Sequence, residues 1–119
     1  FHVLTLFEVL EHLDDPMNIL QRLTKLVMPS GILILETPDC QGVDRIETRE
    51  QYLKIAPMEH INGFTAATLT RFAKRAGYKR IPKPTAWVTA DFQRVLKNAA
   101  KHALAPLRQD TTQQYFKKL

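Results

Sequence analysis

Three titratable side chains follow the apolar amino-terminal run within five residues of one another. They are Glu8, Glu11 and His12, in the segment LFEVLEHLDDP at residues 6–16. Residues spaced i, i+3 and i+4 share one face of a helix, so a helical turn here would bring two carboxylates and an imidazole together. Such a set needs only one or two more ligands to hold a divalent metal ion. The alternative is that Glu11 and His12 only cap the following helix and hydrogen-bond to the backbone.

A further histidine, His60, lies far along the chain, shortly before another predicted helix. Histidine exchanges a proton readily near neutral pH, so His60 could act as the general base that deprotonates a hydroxyl or a phenol. An equally good interpretation is a loop histidine that stabilises the start of that helix beside Asn62. The sequence leaves both interpretations open.

The segments around the first cluster have the pattern of a strand, a helix and a second strand. Residues 2–7 form an almost wholly apolar run, as expected of a central parallel strand buried on both faces. Pro16, preceded by two aspartates, begins a helix, and residues 32–36 form a second apolar strand. Short joints make this a βαβ crossover with parallel strands. Because ligands bind at the carboxyl ends of such strands, residues 8–12 and 36–39 should rim one crevice.

The following part of the chain is less regular. A polar stretch over residues 40–63 contains a predicted short helix at 47–55. A further helix begins at Thr65 and ends before Gly77, and a short strand is predicted at 78–81.

The carboxyl-terminal part has a different character. An amphipathic helix is predicted from Asp91, or slightly earlier, to Leu104, and the polar tail after Pro106 is expected to be loosely ordered. We therefore divide the chain into a first unit, residues 1–85, and a second unit, residues 86–119, made of this helix and the tail.

Composition restricts the class of protein. The chain has 119 residues, 45% of them hydrophobic, which is enough for one globular domain with a modest core. The single cysteine, Cys40, excludes an intramolecular disulfide. No apolar run reaches the roughly 18 residues of a membrane span. We expect a soluble, cytoplasmic protein.

Charge is divided unevenly between the two halves. Residues 1–60 carry five Lys and Arg against ten Asp and Glu, a net charge of −5, whereas residues 61–119 carry twelve against two, a net charge of +10. A basic half attracts nucleic acid or another anionic surface, but the favoured interpretation is a solvated helix face or a counterpart to an acidic segment. Because no aromatic-rich RNA motif accompanies the charge, a nucleic-acid partner is allowed but not favoured.

Two segments carry a family resemblance. FHVLTLFEVLEHLDDPMNILQRLTKLVMPSGILILETPD and PMEHINGFTAATLTRFAKRAGY resemble the second half of class I S-adenosylmethionine-dependent methyltransferases, and most of all the group of ubiquinone-pathway O-methyltransferases. The combination of EVLEHL, PSG and LETP is the most specific part. The resemblance implies an α/β, Rossmann-like methyltransferase fold. Residues 1–85 would be its carboxyl-terminal portion, from the fourth to the sixth strand, as an incomplete parallel sheet.

The resemblance also implies an activity, methyl transfer from S-adenosylmethionine to a small-molecule or RNA acceptor, with oxygen favoured as the receiving atom. Phe7, Glu8 and Val9 match the segment beside the methionine end of the cofactor. The glycine-rich loop and the acidic residue that hold the rest of the cofactor have no counterpart here. We therefore expect the chain to be a fragment of a longer enzyme and inactive by itself. A recognisable final strand is also missing at the carboxyl end.

A metal site is implied by a narrower similarity. Terminal 2′-O-methyltransferases of small RNAs and some ubiquinone-pathway enzymes are similar in this region, with two Glu and one His here and a second His before the next helix. The matching residues are Glu8, Glu11, His12 and His60. The resemblance thus implies Mg²⁺, or a similar ion, that orients a substrate hydroxyl, and it makes Glu11 and His60 the candidate catalytic residues.

Two expectations concern partners. In the complete sheet the strand at residues 2–7 lies in the middle, so its bare edge here should pair with another copy and give a homo-oligomer through residues 1–7. A rival interpretation is a non-catalytic module that holds RNA or an anionic surface with its basic half, Arg71 to Lys101.

Overall fold

The computed structural model describes residues 1–56, 58–83 and 111–119, and these form a mixed α/β unit around one four-stranded sheet. This confirms the predicted fold class. The strands are β1 (Val3–Phe7), β2 (Ile32–Pro38), β3 (Tyr78–Ile81) and β4 (Thr111–Lys118), in the spatial order β1-β2-β4-β3. The helical elements are a 3₁₀ turn (Leu10–His12), α1 (Pro16–Thr24), α2 (Arg49–Ile55) and α3 (Ala66–Arg75).

The predicted βαβ crossover is confirmed. β1 and β2 run parallel, from Val3 opposite Ile32 onward, and α1 joins them. Asp15 caps α1 by accepting a hydrogen bond from the amide of Asn18 at 3.1 Å, and Pro16 occupies the first helical position, where a missing amide costs no hydrogen bond. The carboxyl ends of both strands therefore lie at the same edge of the sheet.

A strand that the sequence did not predict, β4, lies between β2 and β3. It is antiparallel to both, with Gln114 opposite Leu35. The expectation of a loosely ordered tail after Pro106 is therefore wrong for residues 111–118, and so is the expectation that a final strand is missing. The sheet is mixed and not purely parallel. The sequence did not predict this strand because threonine and glutamine occupy two of its inward positions, so apolar and polar residues do not alternate along it.

Paired polar groups explain how such a strand can be buried. Phe116 is fully buried in the core, and Thr112 and Gln114 are buried on the same face of β4. The side-chain amide of Gln114 donates to the Ala66 carbonyl at 2.8 Å, and its oxygen accepts from the Thr70 hydroxyl at 2.8 Å. Burial of a polar side chain is tolerated when its hydrogen bonds are made, as they are here.

Both later helices begin at capping boxes. The hydroxyls of Thr48 and Thr65 each accept a hydrogen bond from the amide three residues on, and the side chain at that position bonds back. The short helix predicted at 47–55 is α2, and the helix predicted after Thr65 is α3. The chain leaves α3 through Gly77, whose φ of 90° favours glycine.

One hydrophobic core lies between the sheet and helices α1 and α3. Its fully buried side chains include Leu20, Leu33, Leu35, Leu69 and Phe116. On the opposite face of β1, Val3 and Phe7 are 51% and 48% exposed. The expectation that this strand is buried on both faces is therefore wrong within the described residues.

β1 is the edge strand of the described sheet, as expected, and pairs there with β2 alone. The predicted amphipathic helix ending at Leu104 and the boundary after residue 85 lie outside the described residues, so both stay predictions. In the described ranges no helix has the length and apolar character needed to span a bilayer.

Candidate functional site

β1 ends in a backbone reversal at Glu8. This residue has a φ of 53°, a left-handed conformation that is uncommon for residues other than glycine, while its amide donates to the Glu36 carbonyl at 3.0 Å. The 3₁₀ turn begins only at Leu10. The prediction that Glu8, Glu11 and His12 share one helical face is therefore wrong. Glu8 precedes the turn, and its left-handed conformation changes the direction of the backbone before the turn begins.

Glu11 is a buried carboxylate to which no N–H or hydroxyl group donates. Its side chain is 1% exposed, and within the described part of the chain neither carboxylate oxygen accepts a hydrogen bond. The Nε2 atom of His12 lies 4.0 Å from Oε1, beyond hydrogen-bond range. An isolated buried charge is costly. A cation or a hydrogen-bond donor bound beside Glu11 would therefore be stabilised by this carboxylate.

Two imidazoles lie beside Glu11. Nδ1 of His12 is 2.9 Å from the Glu59 carbonyl oxygen, and Nδ1 of His60 is 3.2 Å from the Lys54 carbonyl oxygen. Because a carbonyl can only accept, each Nδ1 carries a hydrogen, and in the neutral ring each Nε2 then has a lone pair to offer. The two rings thus provide two nitrogen atoms that can bind a cation or accept a proton.

Asn62 fastens the loop that carries His60 onto the 3₁₀ turn. Its side-chain amide donates to the carbonyls of Leu10 at 3.2 Å and Leu13 at 2.6 Å, and its backbone amide donates to the Glu11 carbonyl at 3.1 Å. These bonds bring two distant parts of the sequence together. Sequence reasoning missed this positioning role, because an amide that bonds to backbone carbonyls leaves no residue pattern.

The alternative structural interpretations of these residues are met only in part: His12 and His60 hydrogen-bond to backbone carbonyls, but none of the three residues caps a helix. Asp15, and neither Glu11 nor His12, caps α1. His60 bonds to the last turn of α2, so it does not support the start of α3, which Thr65 caps. The three side chains are therefore still available for chemistry.

Glu11, His12 and His60 form one cluster, which we call the carboxylate–histidine cluster. One ligand atom from each residue lies within 4.8 Å of the others, close enough for all three to bind one metal ion. Of the four ligands that the resemblance predicted, the structure brings these three together. Glu8 is outside the cluster.

Glu8 is nevertheless electrostatically linked to the cluster. Partial burial raises the pKa of Glu8 above its ordinary value of 4.5, and the negative charge of Glu11, a side-chain hydrogen bond between these two carboxyl groups and the negative charge of Glu36 add to the rise, which His60 opposes. Perturbed carboxyl groups concentrate at functional sites. The carboxyl end of β1 therefore presents a carboxyl that would gain from a nearby positive charge.

The carboxyl end of β2 contributes structure more than chemistry. Asp39 is 6% exposed, and its carboxylate accepts a hydrogen bond from the Gln41 amide at 3.0 Å, which fixes the turn. Burial raises the pKa of the Cys40 thiol, whose Sγ lies 3.6 Å from the Lys54 carbonyl oxygen. Residues 36–39 thus form a wall next to the site, and Cys40 is not an activated nucleophile.

The parallel βαβ unit and the titratable groups at its strand ends define a class I methyltransferase-like domain with a partial Rossmann-like fold. A family model described as a methyltransferase domain matches residues 1–82, which contain the carboxylate–histidine cluster. The chain belongs to this methyltransferase family. Comparison with curated proteins gave no match. The ubiquinone-pathway subgroup stays a prediction.

Proposed function

We propose that the chain supplies part of the active site of an enzyme that transfers a methyl group from S-adenosylmethionine to an oxygen atom of a small-molecule or RNA acceptor. The observation that carries the proposal is Glu8, a residue other than glycine in a left-handed conformation at the carboxyl end of β1. Strained residues of this kind cluster at functional sites, and open α/β sheets bind ligands at this end of their strands.

Phe7, Glu8 and Val9 would bind the methionine end of the cofactor. The Glu8 carboxylate would pair with the positively charged amino or sulfonium group, which would also offset the repulsion it experiences from Glu11. Phe7 is 48% exposed and offers an apolar surface, while Val9 packs against the core and fixes the turn. The remaining cofactor contacts would come from a glycine-rich loop that this sequence lacks, so the chain alone would bind weakly and would not turn over.

His60 is our candidate for the general base. Methyl transfer is an in-line displacement, in which the acceptor oxygen bonds to the methyl carbon as the carbon–sulfur bond breaks. The proton of the acceptor hydroxyl would pass to Nε2 of His60, because Nδ1 already faces the Lys54 carbonyl. The buried Glu11 carboxylate would stabilise the resulting imidazolium and keep the ring oriented.

A metal ion is the alternative use of the carboxylate–histidine cluster. The unpartnered buried carboxylate of Glu11 and the two imidazole nitrogens of His12 and His60 fit a divalent cation. Mg²⁺ prefers ligands that are all oxygen, whereas two imidazoles and one carboxylate suit Mn²⁺, Fe²⁺ or Zn²⁺ better. Such an ion would bind and orient the acceptor hydroxyl, and Glu8 would lie next to the site without being a ligand.

Calorimetric titration with S-adenosylmethionine tests the cofactor proposal. We expect Glu8→Gln to weaken binding about ten-fold, because it removes one charge-assisted contact. Glu47→Gln, which changes an exposed carboxylate away from the site, is the matched control and should leave the affinity unchanged. Equal affinities for the two variants would contradict a cofactor role for Glu8.

Thermal stability with added metal separates the base from the metal interpretation. If the cluster binds a cation, Mn²⁺ or Zn²⁺ should raise the melting temperature of the parent chain more than Mg²⁺ does. Glu11→Gln should remove this rise and Glu47→Gln should keep it. A rise of the same size in Glu11→Gln would mean that metal binds elsewhere, and no rise in the parent chain would leave His60 as the base.

A second candidate function is suggested by an exposed basic surface on α3 and β3. Arg71 and Arg80 line an open cavity of about 630 Å³ that also includes Gln41 and Thr70. The exposed cations of α3 and β3 are Arg71, Lys74, Arg75, Lys79 and Arg80, and of these Arg71 and Arg80 lie together at the cavity. RNA bound there would dissociate steeply with rising salt, and the double variant Arg71→Glu/Arg80→Glu would abolish binding. Salt-independent binding, or none, would count against this function.

A further inference from the structure

Four large apolar side chains are exposed in the short stretch of chain that carries His60. They are Tyr52, Leu53, Met58 and Ile61, which are 44%, 59%, 89% and 63% exposed, and we call them the α2 apolar surface. We propose that this surface binds the body of the methyl acceptor, so that the acceptor is a small apolar molecule with a hydroxyl group and not RNA. The inference rests on the proposed function, because it concerns the hydroxyl that would receive the methyl group.

The helix that carries half of this surface does not belong to the core. α2 buries none of its seven residues, all of which the structure describes. It is fixed at its ends instead, by the capping box at Thr48 and by the Ala56 amide, which donates to the Tyr52 carbonyl at 2.5 Å. Apolar side chains that a fold holds in water next to a site usually mark a surface that binds a ligand. Tyr52 and Leu53 are therefore available to a bound molecule.

Hydrogen bonds hold this stretch against the carboxylate–histidine cluster. Ala56, with a φ of 31°, reverses the chain after α2, and its carbonyl accepts a hydrogen bond from the His60 amide at 2.8 Å. Nδ1 of His60 then lies 3.2 Å from the Lys54 carbonyl oxygen, and the Ile61 amide donates to the Glu11 carbonyl at 2.7 Å. The backbone on both sides of the imidazole is thus tied to the cluster, and the same backbone carries the α2 apolar surface.

Charge argues against a polyanionic acceptor at this place. Residues 44–61 carry three Lys and Arg against four Asp and Glu, a net charge of −1. The adjoining strand ends and turn add the carboxyl groups of Glu8, Glu11 and Glu36. RNA and anionic bilayers bind surfaces that are rich in cations, so a chain of phosphates would be repelled here. A small uncharged molecule meets no such repulsion.

The two parts of such an acceptor would bind by different means. The α2 apolar surface would remove the apolar body from water, and the Tyr52 ring would stack on an aromatic one. The hydroxyl would donate to Nε2 of His60, since Nδ1 faces the Lys54 carbonyl. As the acceptor oxygen bonds to the methyl carbon, the hydroxyl proton would pass to Nε2, and the sulfur would leave with the electron pair of the broken carbon–sulfur bond.

NMR of the chain with 2-naphthol as the probe tests the inference, because 2-naphthol joins an apolar body to one hydroxyl. We expect it to shift the signals of Tyr52, Leu53 and Ile61. Uridine, which carries its hydroxyls on a polar body, should leave these signals unchanged at the same concentration. 2-Methoxynaphthalene, which has the body but no hydroxyl proton, should bind about five-fold more weakly and should not shift the His60 ring signals, because one hydrogen bond is lost.

Exposed positions supply a variant and its control. The double variant Leu53→Ser/Ile61→Ser should raise the dissociation constant of 2-naphthol about ten-fold, because it removes two apolar side chains from the surface. Leu26→Ser is the matched control, because it changes a leucine after α1 that is 56% exposed, and it should bind 2-naphthol like the parent.

Titration of the same samples with S-adenosylmethionine separates this inference from the proposed function. The double variant should bind the cofactor like the parent, because Glu8 is unchanged. A parent chain that binds the cofactor but not 2-naphthol would overturn the inference alone, whereas a chain that binds 2-naphthol as expected but no cofactor would contradict the proposed function. Equal shifts with uridine, or a double variant that binds 2-naphthol like the parent, would also overturn the inference. Surface signals that move with protein concentration instead of 2-naphthol would indicate a second copy, with the same consequence.

Discussion

The rings of His12 and His60 lie edge to face, with their centroids 4.9 Å apart and their planes inclined at 68°. Each ring is held by a backbone carbonyl at Nδ1, and both lie beside the buried carboxylate of Glu11. Two imidazoles fixed in this way can act on one bound group. This relationship links the turn after β1 to the loop before α3, and the site depends on it.

The buried Glu11 carboxylate should lower the free energy of unfolding of the chain. Because its carboxylate is buried and accepts no hydrogen bond from an N–H or hydroxyl group of the described residues, we expect Glu11→Met to increase the free energy of unfolding by about 1–3 kcal/mol. Urea denaturation measures the change, with Glu47→Gln as the control that should not alter it. A loss of stability in Glu11→Met would show that the carboxylate has a stabilising partner.

Glu8 should give the chain a pH-dependent stability on the acidic side. Its raised pKa means that the folded chain holds this proton more tightly than the unfolded chain does, so the associated stability is present below 4.5 and is lost as the pH rises through the raised value. In Glu8→Gln this loss of stability with rising pH does not occur, because the glutamine side chain does not titrate. The variant should therefore match the parent below pH 4.5 and exceed it near neutral pH, as measured by denaturation at several pH values. A constant difference across the range would contradict the raised pKa.

Asn62 should be required for the geometry of the site. Asn62→Ala removes two side-chain hydrogen bonds to the carbonyls of Leu10 and Leu13, and we expect it to lower the free energy of unfolding by about 1–3 kcal/mol. It should also change the NMR chemical shifts of the His12 and His60 side chains relative to the parent chain. Asn18→Ala, on the exposed side of α1, is the control. Unchanged histidine signals in Asn62→Ala would contradict a positioning role for Asn62.

β4 should be a structural strand of the sheet and not a tail. Phe116 is fully buried, so Phe116→Ala should lower the free energy of unfolding by about 3–5 kcal/mol. Lys117→Ala, which changes the exposed neighbour, should have little effect. If both variants unfold at the same denaturant concentration as the parent, β4 does not pack in the sheet in solution.

Local patterns predicted most of the fold. The apolar runs of β1 and β2, the cap at Asp15 and the cap at Thr65 each depend on residues close together in sequence, and all four are present. β4 depends on distant contacts instead. Gln114 can be buried only because Ala66 and Thr70 supply its hydrogen-bond partners, and nothing near Gln114 in the sequence indicates them.

The site was predicted in part for the same reason. Residue types and the family resemblance pointed to Glu11, His12 and His60, which lie together. The sequence could not show that Glu8 reverses the backbone with a φ of 53° and so leaves the common face. A positive φ at a glutamate has no local sequence signal, because glycine is the residue expected there.

The most direct test of the account is amide NMR of the chain during titration with S-adenosylmethionine. We predict that the largest shifts are those of Phe7, Glu8 and Val9, with smaller shifts at the carboxylate–histidine cluster, and that Glu8→Gln reduces them whereas Glu47→Gln does not. Shifts confined to the basic surface of α3 and β3, or no shift at the highest cofactor concentration, would contradict a cofactor site at the end of β1.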